Sequence, residues 1–263
     1  MKYITHFATE AEYQTALPTL DLPNVSLVDE LQEVHYHRAL YGGHAGDIVL
    51  FDVAEQQKIL VTAADWNLTT YPTATYPIIG IVAFDESPAG LILVSALGMA
   101  ADGSTSSLND VLTFQKTIVL DWGLTKYTTA ETAVTDMNGK ANTAAIIAAI
   151  KSYDLEHSTD NFTGYASGAI QLFAPTGTTA GDWYFGSFYE VKQMKTNMTI
   201  INTTLTKIHN ADSSLSVLLS TAGFYNSTTE YNNNYCCVVV NAGSFSYDYK
   251  SNPARWRPFL KLT

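Results

Sequence analysis

Residues 227–252 read STTEYNNNYCCVVVNAGSFSYDYKSN, and how this stretch pairs with itself decides the fold of the carboxyl-terminal half. It holds four tyrosines, five asparagines and two adjacent cysteines, where ordinary strands carry aliphatic side chains. YCCVVVN (235–241), SFSYDYK (244–250) and RWRPFLKL (255–262) read as three strands, with NAG and SNP as the turns between them. Alternation along the middle run places Phe245, Tyr247 and Tyr249 on one face and Ser244, Ser246 and Asp248 on the other. The same parity sends Cys236 and Cys237 to opposite faces. A ring closed between neighbouring cysteines is strained, so both read as free thiols. Upstream, GFYNSTTEYNNN (223–234) has the periodicity of neither helix nor strand and is expected to be an irregular, exposed lead-in.

Outward from this ladder, the sequence reads as α+β. SFYEVKQMKTNM (187–198) begins with Ser187 and Glu190 at capping-box spacing and continues with Val191, Met194 and Met198 at helical spacing. GKANTAAIIAAIKS (139–152) sets Ile146, Ile147 and Ile150 on one helical face behind an entry glycine. TIINTTLTKI (199–208) extends or follows the first of these helices. Earlier, DIVLF, KILVT, IIGIVAF and GLILVSAL are short β-branched runs separated by turn residues, which makes residues 41–110 a small all-β module. Residues 1–40 read as a strand, a helix capped by Thr9 and Glu12, and a hairpin of NVSLV with EVHYH. AADGSTSSLND (100–110) has linker composition, so the expected domains are 1–40, 41–110 and 111–263.

Composition removes several functions. A formal charge of -11, from 14 basic and 25 acidic side chains, offers no phosphate-neutralising run, so nucleic acid is not expected as a partner. No apolar run approaches the roughly 20 residues of a spanning helix, so membrane insertion is not expected. MKYITHFATEAEY lacks the apolar core of a secretory signal, which points to synthesis and residence in a cytosol. His35 and His37 share a strand face without a third ligand nearby, so no metal and no cofactor is expected. Asp154, Glu156 and Asp160, with His157 among them, lie in YDLEHSTDN (153–161), which reads as a loop without a nucleophile motif. Catalysis is not expected.

Three runs carry a resemblance to a known family: GDWYFGSFYEV (181–191), STTEYNNNYCCVVVNAG (227–243) and the closing RWRPFLKL. They are similar to C-type-lectin-like proteins of the retroelement-diversified type found in gut bacteriophages, crAss-like phages among them. FATEAEY, PNVSL, VHYH, GDIVLFD and DWNLTTYPTATYPIIGIVAF resemble amino-terminal modules of virion proteins from the same phages. The resemblance implies a C-type-lectin-like domain with two helices and a terminal antiparallel ladder. Its candidate ligand-facing residues are Tyr225, Asn226, Tyr231, Asn232, Asn233, Asn234, Tyr235, Cys236, Asn241, Ser244, Tyr247, Tyr249 and Asn252. Trp183, Glu230, Arg257, Pro258 and Phe259 are the implied frame. The chain lacks the Glu-Pro-Asn, Gln-Pro-Asp and Trp-Asn-Asp motifs of calcium-dependent sugar-binding relatives, and its adjacent cysteines do not match the separated pair of the formylglycine-generating enzyme.

The function so implied is that of a head- or tail-fibre protein at the virion surface, which binds a host-surface glycan or protein through its carboxyl-terminal domain. Other virion proteins are the expected partners of the amino-terminal region, and a homotrimer the expected assembly. Tyrosine supplies large amphipathic area at low entropic cost and Asn and Ser supply adaptable hydrogen bonds, a mixture suited to binding surfaces. The alternative is a structural virion protein whose aromatic face is a subunit interface.

Overall fold

The β-branched runs of the first half pair as their periodicity predicts, and the last strand of the chain completes their sheet. The computed structural model describes residues 27–28, 34–35, 43–85, 90–108, 111–117, 120–240 and 243–262. Of the expected 1–40 unit only the hairpin strands β1 (Leu27–Val28) and β2 (Val34–His35) are among them, paired antiparallel. Its first strand, its helix and His37 lie outside the described residues.

Strands β3 (Ile48–Asp52), β4 (Gln57–Val61), β5 (Ile78–Asp85) and β6 (Leu91–Ser95) are followed by the short pair β7 (Gly98–Met99) and β8 (Thr105–Ser106), and by β9 (Val111–Thr113). Helices α1 (Ala130–Ala133), α2 (Gly139–His157) and α3 (Ala166–Leu172) come next, then β10 (Tyr184–Phe185), α4 (Phe188–Thr196) and α5 (Met198–Ala211). The chain ends with β11 (Tyr225–Glu230), β12 (Tyr235–Val239), β13 (Phe245–Tyr249), β14 (Pro253–Arg255) and β15 (Pro258–Leu262). The protein is α+β.

One sheet has six strands in the order β10-β15-β6-β5-β3-β4, all antiparallel to their neighbours. Its central runs are apolar without alternation because both faces are covered. Ile48, Leu50, Ile81, Ile92, Val94 and Phe259 share one core with Val191 and Met194 of α4 and Ile201, Leu205 and Ile208 of α5. Val49, Val82, Leu91, Leu93 and Leu260 share the other with Ile146, Ile147 and Ile150 of α2 and Ala169 and Ile170 of α3. Each such side chain contributes about 1.5–3 kcal/mol when fully buried, so the helices are held by the sheet rather than by their own propensity.

The expected boundary near residue 110 is corrected by the strand order. β15 sits between β10 and β6, with Phe259 opposite Val94 and Leu260 opposite Leu93, so residues 41–110 share a sheet with the carboxyl terminus. Without β15, the edge of β6 would expose a row of unpaired backbone groups on a fully buried strand. β9, on the carboxyl-terminal side of that boundary, joins the second sheet, of five strands in the order β13-β12-β11-β14-β9. RWRPFLKL is also not one strand. Arg255 ends β14 in the second sheet and Pro258 starts β15 in the first. Between them Arg257 donates to the carbonyls of Ser95, Ala96 and Val217, which fixes the crossing.

The capping box at Ser187 forms: Glu190 N donates to Ser187 Oγ, and Ser187 N donates to Glu190 Oε2 at 2.8 Å. At Asn197 the helical run breaks into α4 and α5, and Asn197 Nδ2 donates to Ala83 O at 2.9 Å, tying the break to β5. YDLEH, expected as loop, forms the last turn of α2, and Ser158 closes it in the left-handed region at φ 52.

Candidate functional site

β12 and β13 pair without interruption from Tyr235 opposite Tyr249 to Val239 opposite Phe245. Alternation puts Tyr235, Tyr247, Tyr249 and Phe245 on one face of this ribbon, and Tyr231, just before the connecting turn, leans onto the same face. Tyr231 and Tyr247 stack with centroids 4.5 Å apart and planes 19° apart. Tyr235 meets Tyr247 edge-on at 5.2 Å and Tyr249 at 4.4 Å. The root of the ladder is core: Phe245 packs edge-to-face on Phe188 at 5.4 Å, and Cys237 and Val239 beneath it are fully buried. Its tip is open, with Tyr247 49% and Tyr249 40% exposed. A hydrogen bond to Tyr249, then desolvation and the neighbouring phenols, push the Tyr235 phenol up to about 12.

The turn joining β11 to β12 is held by its own asparagine. Asn232 Oδ1 accepts from the backbone N–H of Asn234 at 2.8 Å and of Tyr235 at 3.0 Å, and Tyr231 and Asn232 both donate to Tyr235 O. Asn233 is exposed at the turn tip, Asn234 is half-buried, and Ser244 is exposed at the other end of the ribbon. Asn252 is half-buried, with its amide donating to Asp248 Oδ1 at 2.8 Å. Asn241 lies outside the described residues.

Three of the expected ligand-facing residues are corrected by their burial. Tyr225 is 1%, Asn226 2% and Cys236 0% exposed, so none of them can meet a ligand. The cause is that GFYNSTTEYNNN is no exposed lead-in: residues 225–230 form β11, covered by β12 on one side and β14 on the other, with every position buried. The Asn226 amide is buried without a hydrogen-bond partner, and the other polar side chains of the strand are satisfied inside. Ser227 donates to Cys237 O, Thr228 to Phe185 O and Thr229 to Asp136 Oδ2, while the Tyr225 hydroxyl accepts from Ser220 N. Glu230 accepts from Trp122 N at 3.0 Å and Leu124 N at 3.2 Å and pairs with Lys250, both side chains being fully enclosed. The five implied frame residues are likewise buried. Phe245, absent from the expected site, anchors it, and its shared parity with Tyr247 and Tyr249 was the signal that could have found it. Lys250 had no signal in the sequence.

Cys236 and Cys237 are free and buried in opposite cores. Burial pushes the Cys236 thiol up to about 12 and raises Cys237 as well. Neither thiol is expected to react with iodoacetamide at pH 8 in the folded protein, and both are expected to react in denaturant. Mass spectrometry that found a native adduct would contradict the burial.

The carboxylates of Asp154 and Asp160 are engaged in local structure, and Glu156 is exposed on the last turn of α2. Asp154 accepts from Asn161 N and Thr159 Oγ1, Asp160 accepts from the N–H groups of Phe162 and Thr163, and His157 stacks on Tyr153 at 4.0 Å. Among the described residues, no group of three or more His, Cys, Asp or Glu is placed to hold a metal ion, and no helix is long and apolar enough to cross a membrane.

No protein-family model matches the sequence, and no curated protein matches it. Among solved structures, a fimbrial protein from Bacteroides ovatus ATCC 8483 is similar, with a TM-score of 0.40 and 19% identity over 90% of this chain and 48% of that one. The chain thus spans about half the length of the structure it matches. This finding corrects the expected family. The similarity found is to a bacterial fimbrial protein and not to a C-type-lectin-like phage protein, and the expected phage-fibre function and virion-surface location fall with that family.

Proposed function

We propose that this chain is a non-catalytic adhesion module whose tyrosine ladder contacts a carbohydrate. The observation that supports this reading is the ladder itself: two half-open phenol rings, Tyr247 and Tyr249, stand on a ribbon whose opposite end is locked into the core by Phe245 on Phe188. Rings fixed by their neighbours lose little further freedom on binding. Their faces suit the C–H patches of a sugar ring, and the exposed Asn233 and Ser244 at the two ends of the ribbon can meet its hydroxyl groups. A net charge of -11 disfavours an anionic polymer as the partner.

A glycan array identifies ligands for titration calorimetry. Tyr249→Ala is expected to weaken binding at least about tenfold, the scale of an interface residue worth more than ~1.4 kcal/mol, with an unchanged far-ultraviolet spectrum. A folded Tyr249→Ala protein that binds every array hit like the wild type would refute the assignment. Release of a shortened product from a bound glycan would refute the absence of catalysis.

A further inference from the structure

Away from the tyrosine ladder, the end of α3, the turn between β7 and β8, the segment leading into β5 and the segment after α5 enclose a cleft of about 530 Å³, within the size range of small-ligand sites. Its floor is aliphatic. Ile78, Leu97 and Leu215 line it half-buried, and Leu172 stands in its wall 64% exposed. No aromatic residue is among the described residues that line it, which sets it apart from a site that stacks sugar rings. The β7–β8 turn is fixed against α3. Gly103 N donates to Ala100 O at 3.0 Å, and a Cβ on Gly103 would lie 2.6 Å from Leu172 Cβ and 2.8 Å from Ala169 O. Only glycine, here at φ 82, lets the turn come this close to the helix, so this wall of the cleft stands ready without a ligand.

Asp102, exposed in that turn, is the one charged residue among the described residues that line the cleft. Ser104 donates to it twice, from Oγ at 2.6 Å and from the backbone N at 2.9 Å, and both bonds end on Oδ1. They hold its carboxyl below the usual range, so it is ionised at neutral pH. We propose that the cleft takes a lysine side chain of a partner protein, with the methylene stem along Ile78, Leu97 and Leu172 and the ammonium on Asp102 Oδ2. The chemistry selects lysine on two counts. A carboxylate with one oxygen already engaged suits a point charge better than the parallel two-bond fork of arginine. A stem of four methylenes covers aliphatic floor that a small cation would leave to water. The exposed hydroxyl of Thr105, also in the lining, offers the ammonium a further acceptor. The chain's charge of -11 draws a cationic surface towards it. This site shares no residue with the tyrosine ladder and stands or falls without it.

Methyl NMR of the full chain, titrated with N-acetyl-lysine methylamide and with its norleucine and arginine counterparts, tests the assignment. The lysine probe is expected to shift the methyls of Ile78, Leu97, Leu172 and Leu215. It is expected to bind about three- to tenfold tighter than the norleucine probe, which has a similar stem without the charge, and tighter than the arginine probe. Asp102→Asn keeps an acceptor for Ser104 and removes the charge. In that variant the preference for lysine over norleucine is expected to vanish while the floor methyls still respond. Equal binding of lysine and norleucine by the wild type, tighter binding of arginine, or a lysine preference that survives in Asp102→Asn would overturn the proposal. So would unshifted cleft methyls at the solubility limit of the lysine probe.

Discussion

Replacing Lys250 with methionine is expected to cost about 3–5 kcal/mol of stability, the scale for breaking a buried ion pair by removing one partner. Lys250 and Glu230 are both fully enclosed. The ammonium has three protons and three acceptors: Leu120 O at 2.8 Å, Asn233 O at 3.1 Å and Glu230 Oε1, with the Trp122 ring 4.2 Å away. Burial lowers the Lys250 pKa, and the hydrogen bond to Glu230 opposes that shift. With the amine gone, the carboxylate stays buried with only two backbone donors, and two carbonyls lose theirs. The contact also joins the end of β11, the exit of β13 and the 120–124 segment, so its loss loosens the base of the ladder. Urea denaturation measures the cost. The double variant Lys250→Met with Glu230→Gln removes the stranded charge and is expected to recover about half of it. A single variant within ~1 kcal/mol of wild type would show that the pair carries no such weight.

The second large effect is expected at Gly139, and here two physical arguments disagree in sign. Helix propensity favours Gly139→Ala at the start of α2 by about 0.5–1 kcal/mol. Packing opposes it. A Cβ at this position would overlap Glu190 Oε2, lie 2.6 Å from Ser187 N and 2.9 Å from Phe185 O, and so drive into the capping box of α4 and the end of β10. Backbone atoms cannot swing aside as a flexible side chain can, and overpacking of this kind costs about 1–3 kcal/mol or more. The variant is therefore expected to lose about 3 kcal/mol in thermal or chemical denaturation, while Lys140→Ala, at the exposed neighbouring position, stays within ~0.5 kcal/mol. A stabilised Gly139→Ala protein would mean that the contact between α2 and the α4 cap is looser than described.

Much of the local structure was legible because its causes are local. The runs that became β3 to β6 announce themselves by β-branched residues between turns, the Ser187–Glu190 box closes within four residues, and Ile146, Ile147 and Ile150 lie within two helical turns of one another. Alternation also placed Cys236 and Cys237 in different cores and Tyr247 with Tyr249 on one face. The candidate site was read only in part, since the same reasoning that found its exposed tip also placed Tyr225, Asn226 and Cys236 there.

What the amino-acid sequence determined by itself is the period of each element and the face on which each side chain falls, because a strand's two-residue and a helix's 3.6-residue repeat are properties of the backbone. Only the tertiary structure decided which faces are covered. Ser227 to Glu230 look solvent-seeking in sequence, yet Thr229 finds Asp136 across 93 residues and Glu230 finds the backbone of Trp122 across 108. A polar side chain can be buried when its hydrogen-bond partners arrive from elsewhere in the chain, and no local pattern records their arrival. The placement of β15 beside β6 has the same origin, since an edge strand is satisfied by whichever segment the fold brings to it.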